Sequence, residues 1–245
     1  MTFPVFIPVG PWRLHPHTLF EVLAYATGFV AYLIIRAKRG DRISNANRWS
    51  VFTATVVGAA IGSRLLAWFD APPASALSVF GGKTIVGGLL GGWIGTELEK
   101  TRLGVRESTG DLYVFPLVVG ISIGRIGCFL SGLPDATYGV ATTLPWGVDL
   151  GDGVARHPTA LYESVFVVVL GIVLFAIERR LAHGRLFRLF MLAYLGFRIL
   201  VDAIKPGVPV AFGMTAIQWS CVAGVLYLTW LLARRPPAVA LRGTS

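Results

Sequence analysis

Apolar runs separated by short polar stretches are the dominant pattern of this chain. A helix needs about 17–25 apolar residues to cross a bilayer. Seven runs meet or approach that length: residues 18–35, 50–69, 85–98, 112–131, 159–177, 187–204 and 212–233. The third run is short and rich in glycine, so it is either a spanning helix or a partly re-entrant element packed closely against its neighbours. The pattern predicts an all-α integral membrane protein with seven transmembrane helices.

The polar segments predict a single domain. The longest of them, residues 133–158, contains Asp135, Trp146 and several glycines and prolines, which is typical of a surface loop or small lid. We therefore expect one seven-helix transmembrane domain over residues 1–235, including this external loop, and a cytoplasmic tail at 236–245. The first residues lack the basic segment of a signal peptide, so the first helix is expected to direct insertion.

Basic residues are distributed unevenly over the polar segments, and this distribution indicates orientation. Cytoplasmic loops carry the excess of lysine and arginine in membrane proteins. In this chain the basic loop residues follow the odd-numbered runs: Arg36, Lys38, Arg39, Arg42, Arg48, Lys100, Arg102, Arg106, Arg179, Arg180, Arg185, Arg188, Arg234, Arg235 and Arg242. The opposite side has only Arg13, Lys83, Arg156 and Lys205. The asymmetry predicts an N-terminus outside and a C-terminus in the cytoplasm.

Composition agrees with a membrane protein and disfavours other classes. The 245 residues are 54% hydrophobic and 14% charged, with a mean hydropathy of +0.67, which lies outside the range of ordinary soluble domains. The basic cytoplasmic loops explain the net charge of +9, so we expect no nucleic-acid partner. The two cysteines, Cys128 and Cys221, lie in apolar runs without CxxC spacing. We therefore expect no metal site and no cofactor.

Charged residues inside the predicted spans are the candidates for chemistry: Arg64, Arg125, Arg198, Glu21, Glu163 and Asp202. A guanidinium at membrane depth costs between about 3 and 15 kcal/mol, so such residues are usually functional. Arg198 and Asp202 are four residues apart and share a helix face, where they can pair. Two interpretations stay open. The charges form ion pairs that only set helix register, or the arginines bind a lipid phosphate while the acids orient them.

The surroundings of Arg125 favour the phosphate interpretation. Small residues let another helix or a lipid headgroup approach the backbone, and glycines stand at positions 120, 124, 127 and 132. Beyond the loop, Pro158 fits the first turn of a helix, with Tyr162 and Glu163 one turn inside it. His157 is then either a polar contact at the start of this helix or a member of the site.

Three segments resemble, in order, the motifs of the bacterial prolipoprotein diacylglyceryl transferases. They are Gly124-Arg-Ile-Gly127, His157-Pro-Thr-Ala-Leu-Tyr-Glu163 and Phe197-Arg-Ile-Leu-Val-Asp202. Looser matches are Gly62-Ser-Arg64, Gly87-Gly-Leu-Leu-Gly91 and Gln218-Trp-Ser220. Members of this family are membrane enzymes that move a diacylglyceryl group from phosphatidylglycerol to a lipobox cysteine. The resemblance implies seven spans and an outward-facing site in a bacterial cytoplasmic (inner) membrane.

The resemblance also implies which residues form the site. Arg125 and Arg198 would hold the lipid phosphate, and Asp202 takes the place of a family glutamate. The expected catalytic residues are Arg125, Arg198, His157, Tyr162, Glu163, Asp202 and His17. The expected phospholipid-binding residues are Arg64, Arg125, Arg198, Gly124, Gly127, Gly87, Gly88, Gly139 and Gln218.

The chain departs from the family pattern where the acceptor thiol would be ionised. Val86 stands in place of a histidine regarded as important for catalysis, and Cys128 stands in place of the signature asparagine. Asp135 is a candidate for the family's next acidic residue, and His17 falls where the family has a tyrosine. Because imidazole titrates near neutral pH, His17 or nearby His15 is a candidate general base. The alternative is simple interfacial polarity.

Two functions follow from these residues. The first is transfer of a diacylglyceryl or closely related lipid-derived group, with phosphatidylglycerol, membrane lipid and the lipobox signal peptide of a prolipoprotein as partners. The second is a non-catalytic phospholipid-binding membrane protein that kept the phosphate site and lost the base. A secondary transporter is disfavoured, because the sequence shows no inverted repeat and no paired broken helices.

Overall fold

Seven long helices form the protein in a computed structural model, which describes residues 3–70 and 82–233. The helices are α1 Pro16–Arg39, α2 Asn45–Asp70, α3 Ile85–Leu103, α4 Val114–Ser131, α5 Thr159–Ile177, α6 Arg185–Asp202 and α7 Ala216–Ala233. Two short hairpins accompany them, β1 Ile7–Val9 with β2 Trp12–Leu14, and β3 Val148–Asp149 with β4 Ala155–Arg156. Each predicted run coincides with one helix. The predicted tail at 236–245 lies outside the described residues.

Five described segments are long and apolar enough to cross a membrane: Pro16–Arg39, Asn45–Asp70, Gly110–Ser131, Thr159–Arg180 and Ala216–Ala233. The other two long helices, α3 and α6, contain too many charged residues to be assigned as spans by length and apolar character alone. The C-terminal half of α3 contains Glu97, Glu99 and Lys100, and α6 contains Arg198 and Asp202 among others. The chain is therefore a multi-pass helical membrane protein, while seven spans and their orientation stay predictions.

Glycine contacts hold α3 against α2 along most of its length. A Cβ atom added at Gly91 would overlap the carbonyl oxygen of Gly58, and one added at Gly87 would overlap that of Gly62. The two backbones therefore touch directly, as small residues allow in membrane helix pairs. Thr84 caps the helix by accepting a hydrogen bond from the amide of Gly87 at 3.1 Å. The third run thus forms one continuous helix, Ile85–Leu103.

A second close helix pair, α1 with α4, determines where the N-terminal turn of α1 lies. A Cβ atom added at Gly127 would overlap the Cβ of Phe20, and its other near neighbour is the carbonyl oxygen of Pro16 at 3.3 Å. Further along, Gly28 would meet the carbonyl oxygen of Pro116 at the same distance. Because Gly127 has no side chain, the start of α1 packs directly against the last turns of α4.

Helix α6 passes through the centre of the protein. Phe190, Met191, Tyr194 and Leu195 are completely buried and belong to the hydrophobic core. Burial of such large side chains stabilises the helix in its place even though its end carries ionised groups. Arg198, near the end of α6, therefore lies in the interior of the protein.

The segment predicted as an external loop packs onto the ends of α5 and α6. The amide of Gly139 donates to the carbonyl of His157 at 2.8 Å, and the amide of Val140 donates to that of Ile204 at 2.8 Å. At its tip, Asp149 Oδ1 accepts hydrogen bonds from three backbone amides of the β3–β4 turn. The loop is a structured cover attached to the helices on which the candidate site residues lie. Its action as a lid stays a prediction.

Candidate functional site

Two arginines from different helices converge on a single carboxylate. Arg125 Nη2 lies 2.8 Å from Glu163 Oε2, and Arg198 Nη1 lies 2.7 Å from the same oxygen. Arg198 also donates from Nη2 to Asp202 at 2.7 and 2.9 Å, which is the predicted pairing along α6. We call Arg125, Glu163, Arg198 and Asp202 the arginine–carboxylate cluster.

Burial makes the charges of this cluster interdependent. The four residues are between 2% and 7% exposed, so each charge depends on its partners rather than on water. Tyr194 adds a hydrogen bond of 2.5 Å to the other oxygen of Glu163. Four of the six charges named in the sequence therefore form buried ion pairs, and the question becomes whether an anion can still bind there.

Arg125 has the unused hydrogen-bonding capacity of the cluster. All three nitrogens of Arg198 donate to Glu163 or Asp202. In Arg125, Nε is buried without a hydrogen-bond partner among the described residues, and Nη1 has a long contact of 3.9 Å to Cys128 Sγ. Guanidinium groups offer a planar set of donors that suits phosphate oxygens. Arg125 therefore keeps hydrogen-bond donors beyond its pairing to Glu163.

Lys205 brings an additional positive charge to the cluster. Its Nζ lies 3.9 Å from Asp202 Oδ1, and its side chain is only 16% exposed. Burial, together with the charges of Arg198 and Arg125, lowers the pKa of Lys205 to about 8. When Lys205 is protonated, these three cations outnumber the two carboxylates, so the local charge is positive.

Beside Arg125, three potential proton-transfer or ligand side chains come together. His17, in the first turn of α1, has Nδ1 2.6 Å from Asp135 Oδ1. Ligand atoms of His17, Asp135 and Cys128 all lie within 4.8 Å of one another. Burial alone would raise the pKa of Asp135, but the adjacent imidazole of His17 holds that pKa below its usual value. We call these three residues the mouth group.

The other predicted catalytic residues form a hydrogen-bonded chain at the start of α5. His157 Nδ1 lies 3.2 Å from the hydroxyl of Tyr162, and that hydroxyl accepts from Trp146 Nε1 at 2.8 Å. Trp146 belongs to the external loop, so this chain attaches the loop to α5. Glu163, the next residue, points to the arginines instead. His15 is engaged differently, with its ring edge-on to Phe6 at 5.6 Å.

Several residues predicted to bind phospholipid occupy helix contacts. Gly87 and Gly127 lie where helices touch, as described above, and Gly139 packs on the Cβ of His157. Gly88 and Gly124 have looser neighbours, with the nearest atoms at 3.8 Å in each case. Arg64 is exposed on α2. Lipid binding by these residues stays a prediction.

Gln218 caps the start of α7 and contacts α6. Its Oε1 accepts from the amide of Thr215 at 3.0 Å while Thr215 Oγ1 accepts from the amide of Gln218 at 3.2 Å. This is a capping box at the start of α7. Its Nε2 also donates to the carbonyl of Ile199 on α6 at 3.3 Å, which links α7 to the helix that carries Arg198.

Comparison with known proteins assigns the chain to a family. The model of the family described as prolipoprotein diacylglyceryl transferase matches residues 4–234. The chain belongs to the prolipoprotein diacylglyceryl transferase family. A protein of Solidesulfovibrio magneticus named phosphatidylglycerol–prolipoprotein diacylglyceryl transferase is 30% identical, over 96% of this chain and 95% of its own. A protein of the same name from Geobacter sulfurreducens is 32% identical over 82% of both chains.

Because the chain belongs to this family, the residues at which it differs from the expected family motifs are of functional interest. A further protein of that name, from Bordetella parapertussis, is 29% identical over 96% of this chain and 97% of its own, so the match is not confined to one segment. Val86, which replaces the expected family histidine, is completely buried in the core. Cys128 and His17, which are also departures, lie together with Asp135 as the mouth group.

Some features of the site were not predictable from the sequence pattern. The position of Lys205 after the sixth run predicts a solvated loop charge, whereas the residue is largely buried beside Asp202. Tyr194 reads as an ordinary core residue of α6 until its hydroxyl is seen on Glu163. Cysteine spacing disfavours a metal site, but spacing along the chain does not indicate that Cys128 lies next to His17. The one available signal was that two of the family departures, Cys128 and His17, introduce side chains that can bind a metal.

Proposed function

We propose that the protein transfers the diacylglyceryl group of phosphatidylglycerol to the thiol of a lipobox cysteine in a prolipoprotein, at the outer side of a bacterial cytoplasmic membrane. The observation that carries the proposal is the position of Arg125. This guanidinium pairs with Glu163, has unused donors, and lies next to the mouth group. A phosphate and a thiol can therefore be held side by side.

The leaving group is bound on the arginine side of the site. Phosphatidylglycerol is a phosphodiester with one negative charge, and the cluster with protonated Lys205 has a positive charge that matches it. Arg198 is held by its two carboxylates and orients Glu163, while Arg125 supplies the free donors. Donors fixed before the reaction stabilise charge that develops on the phosphate as the bond to carbon breaks.

The acceptor thiol is ionised on the mouth side. A thiolate is the nucleophile, since a neutral thiol attacks carbon poorly. We assign thiol ionisation to His17, Cys128 and Asp135, because Val86 supplies no base. The thiolate sulfur attacks the glyceryl carbon, the carbon–oxygen bond breaks with its electron pair on the phosphate oxygen, and glycerol phosphate leaves.

The experiment is a transfer assay in membranes that contain the protein. Phosphatidylglycerol labelled in its acyl chains is incubated with a lipobox peptide, and a peptide with serine in place of the cysteine serves as control. We expect label on the cysteine peptide and none on the serine peptide. An absence of transfer, while a family member from Geobacter sulfurreducens is active in the same assay, would refute the proposal.

Val86, an apolar residue at the position of the expected family histidine, favours a second function, a phospholipid-binding protein without turnover. In that case the protein binds phosphatidylglycerol but transfers nothing, and Val86→His creates activity where there was none. Because the side chain of Val86 is completely buried, thermal unfolding of that variant must be measured alongside. Activity of the unmodified protein excludes this alternative.

A further inference from the structure

The mouth group combines three different metal-binding side chains in a compact arrangement. An imidazole, a thiol and a carboxylate place ligand atoms within 4.8 Å of one another. In a tetrahedral zinc site, metal–ligand bonds of about 2.0–2.3 Å put neighbouring ligand atoms about 3.3–3.8 Å apart. Small side-chain rotations therefore suffice to bring these atoms into coordination distance.

The contact between His17 and Asp135 supports a cation at this place. Nδ1 of His17 lies 2.6 Å from Asp135 Oδ1, yet this buried nitrogen has no hydrogen bond of acceptable direction among the described residues. A contact this short needs a proton or a metal ion between the two atoms, and a divalent ion shared with Cys128 would meet that need. The outer oxygen of Asp135 accepts a hydrogen bond from Thr137 at 2.9 Å, the kind of support that orients ligating carboxylates.

The rest of the surroundings suits a metal that reacts rather than one that only stabilises the fold. Catalytic zinc sites have three protein ligands and an open fourth position. His17 is 37% exposed, which provides an entry path, and Cys128 lies 3.9 Å from Arg125 Nη1. The thiolate of Cys128 and the carboxylate of Asp135 neutralise the two charges of a divalent ion.

We infer that His17, Cys128 and Asp135 bind a divalent metal ion of the zinc type, whose open position takes the acceptor thiol. This inference rests on the proposed function and explains how the chain ionises the thiol without the family histidine. Soft thiolate and imidazole ligands select zinc-type ions over magnesium or calcium, and a coordinated thiol is deprotonated outright.

The chemical step balances without any further reactant. The metal binds the lipobox sulfur, and the thiol proton leaves to water at the mouth. The sulfur then forms its bond to the glyceryl carbon while the carbon–oxygen bond breaks, with the electron pair leaving on the phosphate held by Arg125. The thioether product binds a metal more weakly than a thiolate and is released.

Cobalt substitution tests the site directly. The full-length protein is treated with a chelator, placed in phosphatidylcholine nanodiscs and titrated with Co²⁺. We expect one Co²⁺ per chain and a thiolate-to-cobalt absorption band that Cys128→Ser abolishes. The matched control is Cys221→Ala, a core cysteine on α7, which should keep the band. His17→Asn and Asp135→Asn should each weaken Co²⁺ binding about tenfold or more.

The acceptor peptide distinguishes a reacting metal from a structural one. Adding the lipobox cysteine peptide should intensify the thiolate band, and the serine peptide should leave it unchanged. Chelation should abolish transfer, and Zn²⁺ should restore it.

Absence of the band in the unmodified protein, or its persistence in Cys128→Ser, overturns the inference. If transfer survives chelation, the metal is not used and the proposed function stands. If the band is present but transfer is absent, the metal site stands and the proposed function fails.

Discussion

Glu163 is the residue on which both arginines depend. One of its oxygens contacts Arg125 and Arg198, and the other accepts from Tyr194. Removing one partner of a buried ion pair costs about 3–5 kcal/mol, because the remaining charge is left uncompensated. We predict that Glu163→Gln lowers the free energy of unfolding by about that amount and abolishes transfer. Thermal unfolding in nanodiscs and the transfer assay measure the two effects.

The control for this variant is Glu107→Gln, which removes a carboxylate from an exposed position. It should change unfolding by less than about 0.5 kcal/mol, as surface substitutions usually do. Unfolding of Glu163→Gln at the temperature of the control would contradict the role assigned to the cluster.

The lowered pKa of Lys205 predicts that lipid binding depends on pH. Its pKa of about 8 lies below the ordinary value of 10.5, so the cation is lost as the pH rises through 8. Below that pH the anionic lipid meets a protonated lysine, and above it one charge-assisted contact disappears. Such a contact contributes about 1.5 kcal/mol, or about tenfold in affinity. Displacement of fluorescent phosphatidylglycerol from nanodiscs should show binding weakening between about pH 7 and 9.

Two substitutions separate this effect from general changes with pH. Lys205→Arg stays charged throughout the range and should bind equally at both ends. Lys205→Met should bind weakly at both ends. A tenfold decrease in the Lys205→Met variant between pH 7 and 9 would show that another group titrates.

The arginines could be predicted to meet, but their neighbours could not. Arg125 and Arg198 stand out because charge at membrane depth is costly, and the i,i+4 spacing predicts the contact to Asp202 that the structure shows. Lys205 lies after the end of α6, and Asp135 ends the short 3-10 turn Leu133–Asp135. Neither segment is long enough for a periodicity to indicate direction. Asp135 reaches His17 through a tight turn that follows Gly132, whose φ of 68° is a left-handed conformation favourable to glycine.

At the scale of helices, hydrophobic pattern and length predict most of the fold. The fifth run coincides with α5 at both ends, and the others differ from their helices by a few residues. Apolar length does not predict how α3 packs. That depends on which glycines face α2, because α2 and α3 approach each other through backbone atoms.

The α2–α3 contact predicts different outcomes for two neighbouring glycines. At Gly91 an added methyl group would overlap the backbone of Gly58, whereas at Gly88 the nearest atom is the Cβ of Ser63 at 3.8 Å. Gly91→Ala must push the helices apart, and we expect a loss of about 1–3 kcal/mol or more. Gly88→Ala should be neutral or slightly stabilising, since alanine favours helix. Thermal unfolding of the two variants provides the comparison, and equal stability would contradict backbone contact.

The whole molecule brings its site together at one end of the helices. The start of α1, the end of α4, the start of α5 and the end of α6 supply His17, Cys128, Glu163 and Arg198, and the loop covers the same end. Antiparallel neighbours place these ends on one side of a membrane. The orientation of the chain therefore determines whether the site can meet its proposed acceptor, because that acceptor is a protein exported across the membrane.

Orientation can be measured with single cysteines placed in a cysteine-free background of Cys128→Ser and Cys221→Ala. Asp152→Cys lies at the exposed tip of the loop, and Glu107→Cys lies after α3 in an exposed turn. The excess of basic residues after the odd-numbered helices predicts that the loop is outside. A membrane-impermeant maleimide should then label Asp152→Cys in intact cells and Glu107→Cys only after permeabilisation. The reverse pattern would place the site in the cytoplasm, before export of the acceptor, and would exclude the proposed reaction on exported prolipoproteins.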